Sequence, residues 1–177
     1  MRRFFAAAAA ALCLTAAGCR PGQSAPPASR PVTEGFTCEA AAVYAGMTVR
    51  GTLTRETGSA LKLEVEEPET LRGAVLTLTG ETLTVSVGDL QSTLDSGQYP
   101  KIGALPVLLS ALDAAAALPD GGERTAEGLR LTGETDTGRF TLLSDPDTGC
   151  LRSLTLPDVP LTVTFSRVRL LTPETSG

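Results

Sequence analysis

The chain contains no histidine and no tryptophan among its 177 residues, and five Phe and two Tyr supply all its aromatic rings. Without histidine, the protein has no imidazole for general-base catalysis, metal ligation or a pH switch near neutrality. This excludes Ser-His-Asp and Cys-His hydrolases and the common zinc sites. The scarcity of aromatic rings also argues against a platform for binding sugars. We therefore expect no catalytic residue, no metal and no cofactor.

Basic residues are also few, because 15 Lys and Arg face 20 Asp and Glu, for a formal net charge of −5. An acidic surface repels phosphate backbones, so nucleic acid is excluded as a partner. The length suits one domain with a real hydrophobic core, and it is too short for two large domains.

The first 19 residues have the composition of a targeting segment. Two arginines, Arg2 and Arg3, precede an apolar run from Phe4 to Leu14, which is short for a membrane-spanning helix. Small residues then lead to a cysteine at Ala17, Gly18 and Cys19. We predict a signal peptide over residues 1–18.

The ending at Cys19 resembles the lipobox of bacterial lipoproteins, in which the cysteine becomes the first mature residue and carries a diacylglyceryl thioether with palmitate-type chains. The resemblance implies lipidation at Cys19 and an extracytoplasmic protein anchored to the bacterial cell membrane. Two acyl chains meet the requirement for stable attachment, at about 0.8 kcal/mol per buried methylene. The alternatives are a plain secretory peptide cut near Gly18 and an uncleaved anchor.

The segment after the predicted cleavage site is a linker. Residues 19–35 contain four prolines and no periodic apolar pattern, which is typical of a semi-extended tether reaching about 20 to 50 Å. Removal of residues 1–18 takes away two arginines and leaves 13 basic against 20 acidic residues, a net charge of −7. The protein would therefore be held at the membrane by lipid and not by a basic patch. Residues 172–177 are expected to be a frayed tail.

Residues 36–171 alternate between apolar and polar positions, the period of a β-strand. In the segment from Ala60, for example, Leu61, Leu63 and Val65 share one face, and charged residues occupy the other. This pattern predicts a mainly β domain of about nine antiparallel strands, at 36–44, 47–55, 60–66, 74–79, 82–87, 128–134, 138–144, 150–156 and 160–168.

Residues 102–118 differ, because their leucines and alanines recur every three or four positions. This spacing predicts one amphipathic helix, with Pro106 in its first turn. The helix has few basic residues for a membrane surface, so we expect it to pack on the sheet. Nine strands form a sheet about 43 Å wide, and one helix covers about 10 Å of it. The sheet therefore either splits into a two-layered sandwich or curls around the helix and leaves an apolar trough.

The order of elements resembles the LolA-like half-barrel family of bacterial lipid- and lipoprotein-binding proteins over about residues 36–170. The resemblance is carried by Val65–Gly73, the hairpin Leu76–Leu83, Phe140–Gly149 and Leu154–Leu156. It implies a curved sheet, or half-barrel, whose concave face holds acyl chains. The implied ligand-binding residues are Leu53, Leu63, Val65, Leu76, Leu78, Leu83, Val85, Phe140, Leu142, Leu154, Val163 and Phe165. Each is also a candidate for an ordinary core position, because alternation alone does not separate lining from core.

Two other groups of residues have candidate roles. Cys38 and Cys150 are the cysteines left in the mature body, and they are either a disulfide or two separate small buried residues. Glu64, Glu66, Glu67 and Glu69 form the densest acidic cluster, which we interpret as a solvated strand face rather than a glycosidase site.

The sequence thus leaves two principal hypotheses. The first is a membrane-anchored extracytoplasmic lipoprotein, not an enzyme, that binds a lipid-like or other apolar ligand in the concave face of its sheet. The second is a tethered β domain without a ligand cavity that contacts another protein of the cell envelope.

Overall fold

The computed structural model describes residues 33–56, 60–95, 103–118 and 122–171. The predicted signal peptide, Cys19 and most of the predicted linker lie outside the described residues, as does the predicted tail. The described part contains eleven strands and the α-helix α1 (Ala104–Ala117), and Thr33 and Glu34 before the first strand are also helical. The strands are β1 (Phe36–Tyr44), β2 (Met47–Glu56), β3 (Ala60–Glu67), β4 (Ala74–Thr79), β5 (Thr82–Val87), β6 (Leu90–Asp95), β7 (Glu123–Thr125), β8 (Gly128–Thr135), β9 (Gly138–Ser144), β10 (Leu151–Leu156) and β11 (Leu161–Leu170).

All eleven strands form one antiparallel sheet, in the order β6-β5-β4-β3-β2-β1-β11-β10-β9-β8-β7. Strands β1 to β6 form one meander and β7 to β11 a second, and the pairing of β1 with β11 joins the two. The register shifts at Thr37/Glu39, Arg50/Gly51 and Leu151/Ser153. Such bulges bend a strand and increase its twist.

The sheet curls around the helix. Strands β3 and β8 both contact α1, although six strand steps, or about 29 Å of sheet, separate them. The prediction of a curved antiparallel half-barrel with one packed helix is confirmed, and the sandwich is not formed. The nine predicted strands are all present within two residues at each end, and β6 and β7 are additional.

The helix forms where the apolar spacing changes from two to three and four. Pro106 lies in the first turn, where its missing N–H costs no hydrogen bond. The face turned toward the sheet is apolar, and its buried residues are Leu105, Val107, Leu108, Leu109, Ala111, Leu112 and Ala115. The hydrophobic core therefore lies between α1 and the concave face of the sheet.

Candidate functional site

An apolar cleft of about 260 Å³ opens between the first two turns of α1 and the concave face of the sheet. We call this space the apolar cleft. The sheet side is formed by residues of β1 to β5, β11 and the short 3-10 turn at Glu69–Leu71: Ala42, Tyr44, Met47, Val49, Leu63, Val65, Leu71, Leu76, Leu83, Leu161 and Val163. The helix side is formed by Gly103, Ala104, Leu105, Pro106 and Leu108.

Strand alternation and register place these residues together. Ala42 pairs with Val49 and with Val163, and Leu63 pairs with Leu76. Directly paired residues on neighbouring strands lie on the same face of a sheet, as do residues two positions apart along one strand, so these residues share the concave face. The floor is closed, because Val65 is 3%, Leu161 1% and Val163 0% exposed. The mouth is open, because Met47 and Leu71 are exposed.

The lining determines which chemistry the cleft supports. None of its sixteen residues is charged, and Tyr44 contributes the single hydroxyl group. An uncompensated charge is costly to bury in such surroundings, whereas apolar surface is favourable to bury. The apolar cleft is therefore suited to binding an apolar group, and its lining offers no charged acid, base or nucleophile.

A second part of the concave face is filled. We call it the helix-covered half, and it comprises α1 and the inward residues of β8, β9 and β10, namely Leu129, Leu131, Phe140, Leu142, Leu154 and Leu156, each at most 5% exposed. The Phe140 ring lies against Gly133, where a Cβ atom would stand 2.5 Å from Cζ of the ring. Gly133 thus provides the space into which Phe140 packs.

The twelve residues predicted to bind ligand fall into three groups. Five line the apolar cleft: Leu63, Val65, Leu76, Leu83 and Val163. Val85 is half-buried on β5 and does not line it. The other six are buried in the core: Leu53, Leu78, Phe140, Leu142, Leu154 and Phe165.

The alternation also identifies residues that we did not predict. Ala42 and Val49 occupy inward positions of predicted strands, and their small or medium size leaves room in the cleft. The sequence pattern did not identify Ala104, Pro106 and Leu108 as lining residues, because only the docked position of the helix brings them to the cleft.

The two body cysteines are free thiols, so the predicted alternative of a disulfide is not formed. Cys38 lies on β1 and Cys150 precedes β10, and β11 runs between these strands. Two strand steps amount to about 10 Å, beyond the Cα separation that a disulfide spans. Burial, together with the neighbouring Glu39 carboxylate, raises the pKa of the Cys38 thiol to about 12.

The sequence did not predict a structural role for Arg55, a charged residue on the concave side of the sheet. Arg55 on β2 is 4% exposed, and its Nη2 donates a hydrogen bond of 2.7 Å to Oδ1 of Asp113 on α1. This ion pair joins the helix to the sheet. It helps to fix where the helix lies, and therefore where the apolar cleft begins.

The acidic cluster lies at the surface and is paired. Glu64 and Glu67 form ion pairs with Lys62 and Arg50, at 2.6 and 2.7 Å. Glu69 pairs with Arg72 at 2.7 Å. An open depression of about 560 Å³ adjoins Glu64, Glu66 and Glu67. Within the described residues, no cluster of potential ligands is placed to hold a metal ion.

Asp145 organises the turn before β10. Its Oδ1 accepts hydrogen bonds from the backbone of Asp147 and Thr148 and from the Thr148 hydroxyl. These bonds lower the pKa of the carboxyl group well below its usual range.

None of the described helices has the length and apolarity needed to cross a bilayer.

Some solved structures resemble this chain in fold while sharing little of its sequence. No protein family and no curated protein matches it in sequence. An uncharacterised conserved protein from Thermus thermophilus is similar in structure, at 11% identity and a TM-score of 0.49, over 82% of this chain and 83% of that one. A LolA superfamily protein from Nitrosomonas europaea gives 10% identity and a TM-score of 0.39, over 82% and 91% of the two chains. A DUF1329 family protein from Desulfovibrio piger gives 9% identity and a TM-score of 0.35, over 82% and 90%.

Proposed function

We propose that this protein is an extracytoplasmic lipoprotein, not an enzyme, that holds the apolar part of a lipid-like ligand in the apolar cleft. The observation that carries the proposal is the cleft itself, an uncharged space of about 260 Å³ with a buried floor and an open mouth. Its volume lies just below the range of about 300 to 1,000 Å³ that small-molecule sites occupy.

The expected affinity follows from the hydrophobic effect. Each methylene moved out of water contributes about 0.8 kcal/mol, so eight of them contribute roughly 6 kcal/mol. Because a ligand also loses freedom of motion on binding, a Kd on the order of tens of micromolar is the tightest expected from this burial. Such binding is reversible, as a protein that carries or shields a ligand requires.

Saturable binding of an apolar dye tests the proposal. We expect Nile red to bind the purified protein at one site, with one end of its ring system in the cleft and the rest at the open mouth, because the whole dye is larger than the cleft. Ala42→Phe should weaken this binding at least tenfold because the new ring would occupy the cleft. Ala41→Phe is the matched control, since Ala41 faces the other side of β1 and pairs with Arg50 and Thr164. Absence of saturable binding, or equal loss in both variants, would contradict the proposal.

Membrane anchoring rests on the lipobox-like segment that ends at Cys19. We expect Cys19→Ala to move the protein from the membrane fraction to the soluble fraction in a bacterial host, because the acyl chains are the proposed anchor. Full retention of this variant in the membrane would refute the lipid anchor and leave the binding proposal intact.

A protein-interaction role is the second candidate, and β6 favours it. In the described part of the chain this strand pairs with β5 alone, and Leu90 at its start is 79% exposed. An unprotected edge strand is a template for strand addition by a partner. Loss of a co-purifying envelope protein in Thr93→Pro, with Nile red binding unchanged, would favour this role.

A further inference from the structure

We propose that the apolar cleft accepts a single alkyl chain, buries about ten of its carbons and leaves the polar end in solvent. This inference rests on the proposed function and specifies the class of ligand. It distinguishes a single-chain amphiphile, or one tail of a larger one, from a diacyl lipid that is taken up whole.

The volume sets the capacity. An apolar cavity of about 150 Å³ in a protein interior holds one benzene molecule, which has six carbons. At the same density, the 260 Å³ of the apolar cleft holds about ten carbons. A lipid with two long chains has several times that number, so most of it would remain outside.

The lining sets the orientation. The innermost residues are closed off and apolar, since Val65, Val163 and Leu105 are at most 7% exposed. A charged or strongly polar end would lose its hydration there and find no charged partner. The alkyl end therefore enters first, and the polar end stays near Met47 and Leu71, which are exposed at the mouth.

Buried side chains also limit how far the chain extends. Leu161 is 1% exposed and Leu108 is 5% exposed, and both border the cleft as part of the packed core. A chain longer than the cleft therefore has to place its extra methylenes back in water. These methylenes add no binding free energy, because their exposure does not change.

A series of alkyl maltosides tests the limit. Chains of 6 to 14 carbons, each kept below its critical micelle concentration, compete with Nile red for the purified protein. We expect affinity to rise about fourfold per methylene up to about ten carbons. From 10 to 14 carbons, we expect it to stay within about twofold.

Two variants on β5 show whether the apolar cleft sets that limit. Leu83→Ala enlarges the cleft and should move the plateau two or three carbons longer, because Leu83 lines it. Val85→Ala is the matched control, since Val85 is also half-buried on the concave face of the same strand but does not line the cleft. Its plateau should be that of the unchanged protein.

The outcomes separate the two proposals. Affinity that rises steadily to 14 carbons would overturn the capacity limit, although the proposed function would stand. An equal shift of the plateau in both variants would overturn the assignment of the limit to the apolar cleft. If neither Nile red nor any maltoside binds the folded protein, the proposed function fails as well.

Discussion

The helix-covered half and the apolar cleft are built from the same alternating pattern of Leu and Val, yet one is filled and the other is open. In the helix-covered half, Phe140 and Leu142 are at most 1% exposed. Across the cleft, Leu63, Leu76 and Leu83 remain half-buried. The alternation determines which face is apolar, and the position of α1 determines which part of that face is covered.

Side-chain size explains why the helix fits one half closely. Ala111 and Ala115 are fully buried, and such small residues let the helix approach its neighbours. On the sheet, Gly133 makes room for Phe140. At the other end of the helix, the first turns and the small side chain of Ala42 both border the open space, and Tyr44 is the one aromatic residue of the lining. The cleft is therefore open because the side chains that border it occupy too little volume to fill it, and not because the strand pattern differs.

The largest expected effect is a difference in stability between the two regions. Leu142→Ala should lower the free energy of unfolding by about 2 to 5 kcal/mol, because it leaves a cavity in packed surroundings. Leu83→Ala should lower it by about 1 kcal/mol, because the Leu83 side chain is already partly exposed to solvent. Urea unfolding measures both. Equal losses would show that the cleft is as closely packed as the helix-covered half.

Substitutions in the ion pair between Arg55 and Asp113 test what holds the helix in place. Asp113→Ala should lower the free energy of unfolding by about 2 to 3 kcal/mol, because it leaves the buried Arg55 charge without this carboxylate. The double variant Arg55→Met/Asp113→Leu should recover most of that loss in urea unfolding. A double variant less stable than the single one would mean that the charges themselves are needed.

Gly133→Ala is expected to have a smaller effect, specific to the helix-covered half. The added methyl group would overlap the Phe140 ring and cost about 1 to 3 kcal/mol. In the Phe140→Leu background, the same substitution should cost distinctly less, which thermal unfolding of the four proteins measures as a double-mutant cycle. Additive losses would contradict the account of how this half is filled.

Much of the fold could be predicted, because strand alternation is a local signal. Nine strands and the helix follow from residue spacing alone. Strand β6 was missed because only Leu90 and Leu94 in it are apolar, and the strand is mostly exposed. Strand β7 has three residues, too few to show a period.

The site was only partly predictable, for a physical reason. Leu63 and Leu142 have the same inward pattern, but one lines the cleft and the other is fully buried. The distinction depends on where α1 docks, which involves the ion pair between Arg55 and Asp113. Such contacts between distant segments leave no periodic pattern in the sequence.

A crystal of the protein under xenon pressure tests the central claim most directly, because xenon occupies apolar space that is not already filled by protein. The account predicts xenon beside Leu63, Leu76 and Leu83, in the apolar cleft, and none between α1 and strands β8 to β10. Xenon in the helix-covered half, or no xenon in the cleft, would contradict it.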